Sequence, residues 1–321
     1  MVKGLIKSKI TGKPVLLSHL VSQYCDLDCP YCLWKNNNTH SMKTDEILKV
    51  HTDAAQNGFV GCFLWGGEPL LRKDIDVILK HDKGLGWWVT LATNGGLLQQ
   101  KAKVVAENVD DLLVSIDVPN EKHDTIRKKK GTFESAKNGI RAVKEINSKC
   151  NIKICCVLSK FNKDSIKDVC EFAKQEKCGV IFQHIDKNPS LRKISEDLDI
   201  SQEERHKVVN EIIQLKKEKY PIFNSLTYLK QFLFEGKKYH CRSQNIYLTV
   251  WDNGDVSGCA TGKHYGNVLK KGIKQILDSN EYKSFIKISN KCSKCRDSGT
   301  WETTHLYQMR MEALINMVRN Y

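Results

Sequence analysis

Tyr24-Cys25-Asp26-Leu27-Asp28-Cys29-Pro30-Tyr31-Cys32 sets three thiols close together on a loop, directly after the apolar run Val15–Ser22, which reads as a strand. Four irons in a cube each need a ligand, so three neighbouring cysteines serve three of them and leave the fourth open to a small molecule. Structural zinc takes four ligands, commonly from paired knuckles, and no second Cys-X-X-Cys or His-rich pair lies near Cys32. The spacing therefore reads as a cluster cradle with one vacant position, which implies chemistry at that position.

Outward from the loop, short β-rich runs alternate with helical patterns to about residue 217. The strands are expected at Val15–Ser22, Val60–Trp65, Trp88–Ala92, Leu112–Ile116, Ile152–Leu158 and Val180–His184. Helices are expected at Lys43–Gln56, Asp74–His81, Leu97–Glu107, Thr132–Ile146 and Ser165–Gln175. This alternation predicts an α/β fold, a partial (β/α)6 barrel. Six units are too few to close an eight-strand barrel, so the sheet should stay open on one side. Active sites of such barrels sit at the carboxyl ends of the strands, where the cysteine loop follows the first strand.

The other strand ends carry polar groups. Gly66-Gly67-Glu68-Pro69 follows the second strand, where two glycines let backbone approach a ligand and a carboxylate can meet a cation. Thr93-Asn94-Gly95 ends the third strand and Ser115-Ile116-Asp117 the fourth, both with short side chains able to hydrogen-bond a sugar, although turn chemistry alone also accounts for them. Gln183 and His184 end the sixth.

Cys-X3-Cys-X2-Cys with an aromatic residue before its last cysteine, followed by Gly-Gly-Glu-Pro, resembles the radical S-adenosylmethionine (SAM) enzymes. The resemblance implies that Cys25, Cys29 and Cys32 hold a [4Fe-4S] cluster, that Tyr31 belongs to the SAM site, and that the open iron chelates the amine and carboxylate of SAM. One electron would then split the sulfonium to a 5′-deoxyadenosyl radical. It also assigns the SAM amino group to Gly66, Gly67 and Glu68, the nucleoside to Asn94, Ser115 and Asp117, and the SAM carboxylate to Arg127, which otherwise reads as part of the solvated run Arg127-Lys128-Lys129-Lys130. His184 would face the adenine or the substrate, with a buried structural histidine as the other reading.

The grammar changes after residue 185. A bridge around Asp186–Leu198 precedes a charged helix expected at Ser201–Lys219, capped by Ser201. We place the division at 1–219 for the core and 220–321 for a small α+β domain. In the latter, Ile246–Val250 and the turn at Asp252-Asn253-Gly254-Asp255 read as a hairpin, with helices expected at Ile273–Ile286 and Thr303–Val318. Cys241, Gly254, Cys259 and Cys292-Ser293-Lys294-Cys295 resemble the auxiliary-cluster domains of radical SAM proteins. The longer SPASM form continues to further cysteines, but Trp301 and His305 stand there and none follows Cys295. The resemblance thus implies the shorter twitch form with a second [4Fe-4S] cluster, while zinc suits four thiols equally by geometry and His305 is a possible substitute ligand.

The 321 residues include 13 cysteines and carry a formal charge of +14. No charged-apolar-small signal segment opens the chain and no apolar run approaches membrane-spanning length, so a reducing cytoplasmic setting is expected. The six cysteines outside the two motifs read as core, with period two letting only one of Cys155 and Cys156 face inward. Positive charge admits nucleic acid, an anionic membrane surface or a phosphorylated substrate as partners. A four-thiol auxiliary cluster has no open iron and suits electron transfer, which points to substrate oxidation as in twitch dehydrogenases acting on a secondary alcohol. Peptide modification is the alternative, although the segment before Val15 is short for a leader-binding module. Either reaction would draw electrons from a reductant such as flavodoxin or ferredoxin.

Overall fold

The computed structural model describes residues 2–38, 40–185, 195–233, 239–258, 264–293 and 295–318. Its core alternates strand and helix: β1 (Leu16–Ser22), α2 (Thr44–Gln56), β2 (Gly61–Gly66), α3 (Ile75–Gly84), β3 (Trp88–Thr93), α4 (Ala102–Asn108) and β4 (Asp111–Ser115). There follow α5 (Lys122–Arg127), α6 (Thr132–Ile146), β5 (Asn151–Leu158), α7 (Ile166–Gln175) and β6 (Gly179–His184). A helix α1 (Val2–Thr11), not expected from the sequence, precedes them. All six strands pair in parallel in chain order, and each expected strand lies within one residue of its observed bounds at either end.

Burial along the strands shows why the sheet has two different faces. On β3 and β4 every second residue is buried, and those residues (Val89, Leu91, Leu112, Val114) join Ile152, Ile154 and Cys156 of β5 in the core under the helices. The alternate residues Thr90, Ala92, Leu113, Ser115, Cys155, Val157, Ile181 and Gln183 are only half-buried and line the inner side. The interior of the curved sheet is therefore hollow, as a partial barrel requires. Cys155 is the inward cysteine of its pair, and Cys62, Cys150, Cys156, Cys170 and Cys178 are buried.

The second region departs most from expectation. Helices α8 (Gln202–Lys217) and α9 (Leu226–Lys230) lead to β7 (Tyr247–Val250), β8 (Asp255–Ser257) and β9 (His264–Asn267). The expected hairpin exists as the antiparallel pair β7–β8, but it does not stand apart: β7 pairs in parallel with β1 from Leu16↔Tyr247 to His19↔Val250. One nine-stranded sheet results, in the order β6-β5-β4-β3-β2-β1-β7-β8-β9.

The helix expected over 273–286 is two, α10 (Ile273–Asp278) and α11 (Asn280–Ser289), because extended Ser279 breaks the first and its side chain caps the second by accepting from Tyr282 N. The terminal helix is likewise two, α12 (Ser298–Tyr307) and α13 (Met311–Val318), with Met309 left-handed between them at φ 58°. At the expected division the chain stays on the core: Ile222 bridges to Val180, and the Asn224 amide bonds both N and O of Phe182. The expected bridge at Asp186–Leu198 lies mostly outside the described residues.

Candidate functional site

The cysteine loop sits at the carboxyl end of β1 and is held by polar side chains from its neighbours. Cys25 N donates to Asn37 Oδ1 at 3.1 Å, Cys32 N closes a turn onto Cys29 O at 3.1 Å, and Asp28 N reaches Arg127 O. Cys25 and Cys29 are buried and Cys32 is half-buried. Leu27, Tyr31, Leu33, Val118, Ile126, Ile185 and Leu198 complete the apolar shell, and among the described residues no fourth cysteine enters it.

Burial pushes the Cys25 thiol up to about 11, with the nearby Glu68 and Cys29 charges adding to it. Burial also raises Cys29, while the Arg127 guanidinium, with Nη1 3.8 Å from Cys29 Sγ, works against it. Thiols in this position ionise when a cationic centre takes the place of their protons, and N–H groups aimed at sulfur then stabilise the thiolates. Arg127 supplies one such group and Asn94 Nδ2, 4.0 Å from Cys25 Sγ, a second. The donor set fits an iron–sulfur cluster held by three thiolates.

Beside the loop, the two glycines answer a specific crowding. A Cβ on Gly66, whose φ is 145°, would lie 2.1 Å from Ser22 O, and one on Gly67 would lie 2.3 Å from Tyr24 O. Gly67 N donates to Ser22 O at 2.7 Å and Glu68 N to Tyr24 O at 2.8 Å. The pair thus zips the end of β2 to the chain entering the cysteine loop, a packing reason that the sequence reading lacked. Glu68 is buried, and burial lifts its carboxyl to about 7 against the hydrogen bonds it accepts from Asn94 N (2.6 Å), Leu70 N (2.9 Å) and Thr93 Oγ1 (2.8 Å). Asn94 also donates to Asp26 Oδ1 at 3.1 Å, so the tip of β3 grips the loop.

Three expected site residues sit differently from their assignment. Asp117 is fully buried behind the loop and accepts from the Tyr31 hydroxyl, from Arg127 Nε at 2.7 Å and from Val157 N at 3.0 Å. Burial opposes its charge, but Arg127 and His123 outweigh that and hold its carboxyl below the usual range. A sugar contact would need an accessible oxygen, and these are taken up by the chain. Arg127 is no member of a solvated run: it is buried against Asp117, with its guanidinium carbon 5.6 Å from the Tyr31 ring centroid. His184 lies on the helix-facing row with Val180 and Phe182, its ring centroid 3.6 Å from that of Phe232, and burial pushes it down to about 3. Gln183, one residue earlier, faces the hollow and accepts from Ser298 N and Oγ at 2.8 and 2.6 Å. Ser115 stays on the inner row, half-buried.

In the second region Cys241 N donates to Cys292 O at 2.9 Å. Cys295 is pushed well up by burial, with the charges of Asp297 and Cys241 close by, while Cys292 is exposed. Cys259 lies outside the described residues. Trp301 Nε1 donates to Cys295 O at 2.9 Å and its ring stacks on Tyr239 at 3.9 Å. His305 does not take a ligand's place beside them, since its Nδ1 faces Ser225 Oγ at 3.4 Å and its ring meets Trp301 edge-on.

The sequence reading missed the seam between the two regions. Asp252, in the β7–β8 turn, accepts from Gln23 Nε2 at 2.9 Å and Ser41 Oγ at 3.4 Å, and its carbonyl accepts from Met42 N at 2.6 Å, clamping both sides of the cysteine loop. It also missed a buried chain on the helix side, where Asp82 Oδ1 lies 2.6 Å from His51 Nδ1 and His51 Nε2 lies 2.8 Å from His19 Nδ1. No local motif marks either.

Comparison with known proteins agrees with this geometry. Residues 20–173 match the profile of the Radical SAM superfamily, and residues 241–297 match SPASM, an iron-sulfur cluster-binding domain. An AdoMet-dependent heme synthase of Methanosarcina barkeri is 32% identical over 182 residues, which are 55% of this chain and 51% of that protein. The chain thus spans about half the length of that relative. A GTP 3',8-cyclase of Clostridium perfringens is 29% identical over 292 residues, 83% of this chain and 86% of that one. SuiB of Streptococcus suis, solved with its precursor peptide SuiA, superposes with a TM-score of 0.70 at 19% identity, covering 94% of this chain and 73% of that chain.

Proposed function

The chain belongs to the radical SAM superfamily, with a SPASM iron-sulfur domain after its core, and from that premise we propose that it oxidises a substrate by hydrogen abstraction and electron transfer. The observation that carries the reading is the single sheet that joins β1, the strand before the three-thiol loop, to the β7–β8 hairpin of the region that bears Cys241, Cys292 and Cys295. When bound, the [4Fe-4S] cluster of the core supplies the electron that splits SAM into methionine and a 5′-deoxyadenosyl radical.

The chain's own residues bind and orient. Cys25, Cys29 and Cys32 would anchor the cluster, the backbone at Gly66 and Gly67 would meet the SAM ammonium with Glu68 bracing that turn through its bonds to Asn94, Leu70 and Thr93, and Asn94 and Ser115 would offer hydrogen bonds to the nucleoside. Arg127, tied to Asp117, acts from behind the loop by directing an N–H at the Cys29 sulfur. The substrate would give a hydrogen atom to the radical, making 5′-deoxyadenosine, and would lose a proton to a base; Cys241, Cys292 and Cys295, with Cys259 from the sequence, would hold an auxiliary cluster that would supply the acceptor for the remaining electron.

A peptide is the substrate class favoured over a small phosphorylated molecule. The inner-row Lys153 is tied to Asp111 at 2.5 Å, so that cation has no free charge for a phosphate. The likeness to SuiB, solved with a precursor peptide, supports the same class. Modification of RNA or a lipid headgroup rests on net charge alone. Anaerobic reconstitution with iron and sulfide should give about eight irons per chain, four for each cluster. Addition of SAM, a reductant and substrate should then give 5′-deoxyadenosine and a product two hydrogens lighter, both read by mass spectrometry. If no 5′-deoxyadenosine forms, the proposal fails.

A further inference from the structure

The inner side of β1, β2 and β7 carries a wall of aromatic rings that the SAM machinery does not use. Cross-strand register aligns Ser18 with Phe63 and with Thr249, and Leu20 with Trp65, so Phe63 and Trp65 share the inner face. Trp251 follows β7 one residue beyond the His19↔Val250 pair and extends the row past Leu20. Trp34, two residues after Cys32, packs against the apolar shell of the cysteine loop and leans edge-on against Trp65 at 4.8 Å and Trp251 at 6.3 Å. Phe63 lies nearly parallel to Trp65, 18° apart with centroids at 6.2 Å, and Trp65 Nε1 is fixed by donating to Ser18 Oγ at 2.8 Å.

All four residues are half-buried, so part of each stays accessible instead of completing a core. Among the described residues, the buried Trp251 Nε1 has no acceptor. A buried N–H left without a partner is costly, and one beside an open aromatic wall points to an acceptor on the ligand.

We propose that Trp34, Phe63, Trp65 and Trp251 form a box for a phenol ring carried on a peptide, its faces stacked on the rings and its oxygen accepting from Trp251 Nε1. Offset and edge-to-face pairing of a planar ring matches the angles already present among the four. The paired Lys153 on the inner row suits a ring within a peptide, whose flanking amides are neutral, better than a free amino acid bearing two charges. This rests on the peptide reading above and adds which side chain enters.

The test uses the reconstituted, SAM-loaded full chain and ligand-detected NMR titration. N-acetyl-tyrosinamide should bind more tightly than N-acetyl-phenylalaninamide by about fivefold, the range of one neutral hydrogen bond. Both should exceed N-acetyl-leucinamide and free tyrosine. In Trp251→Phe, which keeps a ring and removes the N–H, the tyrosyl preference over phenylalanyl should fall to about onefold while both still exceed leucinamide. Equal binding of the tyrosyl and leucyl amides, or a tyrosyl preference that survives Trp251→Phe, overturns the box. Formation of 5′-deoxyadenosine is read on the same samples, so its presence without ring selectivity would sink this inference and leave the proposed chemistry standing.

Discussion

The two cysteine groups are built in opposite ways. Around Cys25, Cys29 and Cys32, side chains from β2, β3, α5 and the loop itself form a closed set of hydrogen bonds, with Glu68, Asn94, Asp117 and Arg127 each serving more than one partner. Around Cys241, Cys292 and Cys295 the thiols come from separated segments, Cys292 is exposed, and the supports reach backbone instead of sulfur: Cys241 N to Cys292 O and Trp301 Nε1 to Cys295 O, with Trp301 stacked on Tyr239. A site that must hold and cleave a cosubstrate demands ordered polar neighbours, whereas one that only relays electrons needs its ligands and a defined distance.

The largest test removes a ligand on the core side. Cys29→Ala should lower iron by about four per chain and abolish 5′-deoxyadenosine formation, since no neighbouring thiol replaces it. Iron analysis with chromatography of the SAM products reads both, and retained cleavage would break the contrast. Next, Cys241→Ala with Cys295→Ala should also remove about four irons but keep SAM cleavage, losing only the oxidised product. If product yield survives, electrons leave by another path and the second site is structural.

A smaller effect is expected from Arg127→Met, which strips the buried Asp117 of its cation and should cost about 3–5 kcal/mol in denaturant unfolding. A change below about 1 kcal/mol would show that the polar set is not closed.

The smallest test per residue is acid. Burial holds His19 well below its ordinary value, His123 at about 4 and His184 at about 3. Their folded values lie below the unfolded one, so the unfolded chain takes up protons first. Stability is whole above about pH 6.5 and falls as pH drops toward 4, by at most about 1.4 kcal/mol per unit for each histidine. Because Glu68, lifted to about 7, shifts the stability slope the other way over this range, the check is histidine ring NMR of the folded, cluster-free chain between about pH 7 and 5: the three rings should stay neutral, and titration at about 6.5 would overturn the expectation.

How much of this was legible follows from how local each signal is. The cysteine loop, the Gly-Gly-Glu-Pro turn and the six strands are written in consecutive residues, and they stand where periodicity and spacing put them. The inward choice of Cys155 needed only the strand register. By contrast, Asp117 was read as facing the hollow because it closes a strand, yet β4 ends at Ser115 and the chain turns so that its carboxylate lies behind the loop. The aromatic box draws on residues 34, 63, 65 and 251, and the clamp by Asp252 joins positions more than two hundred apart, so neither leaves a periodic trace. Ser279 was visible as a residue but not as a break, because apolar spacing continues across it.

The pairing of β7 with β1 has a consequence for biosynthesis. When β1 and β2 emerge from the ribosome, one side of the central strand has no hydrogen-bonding neighbour until β7 is made about 230 residues later. That unprotected edge is a template for wrong partners during the wait. Nascent chains halted before Tyr247 should accordingly be more prone to aggregation and protease than those released after it, and the last third of the polypeptide serves as the seal on the first.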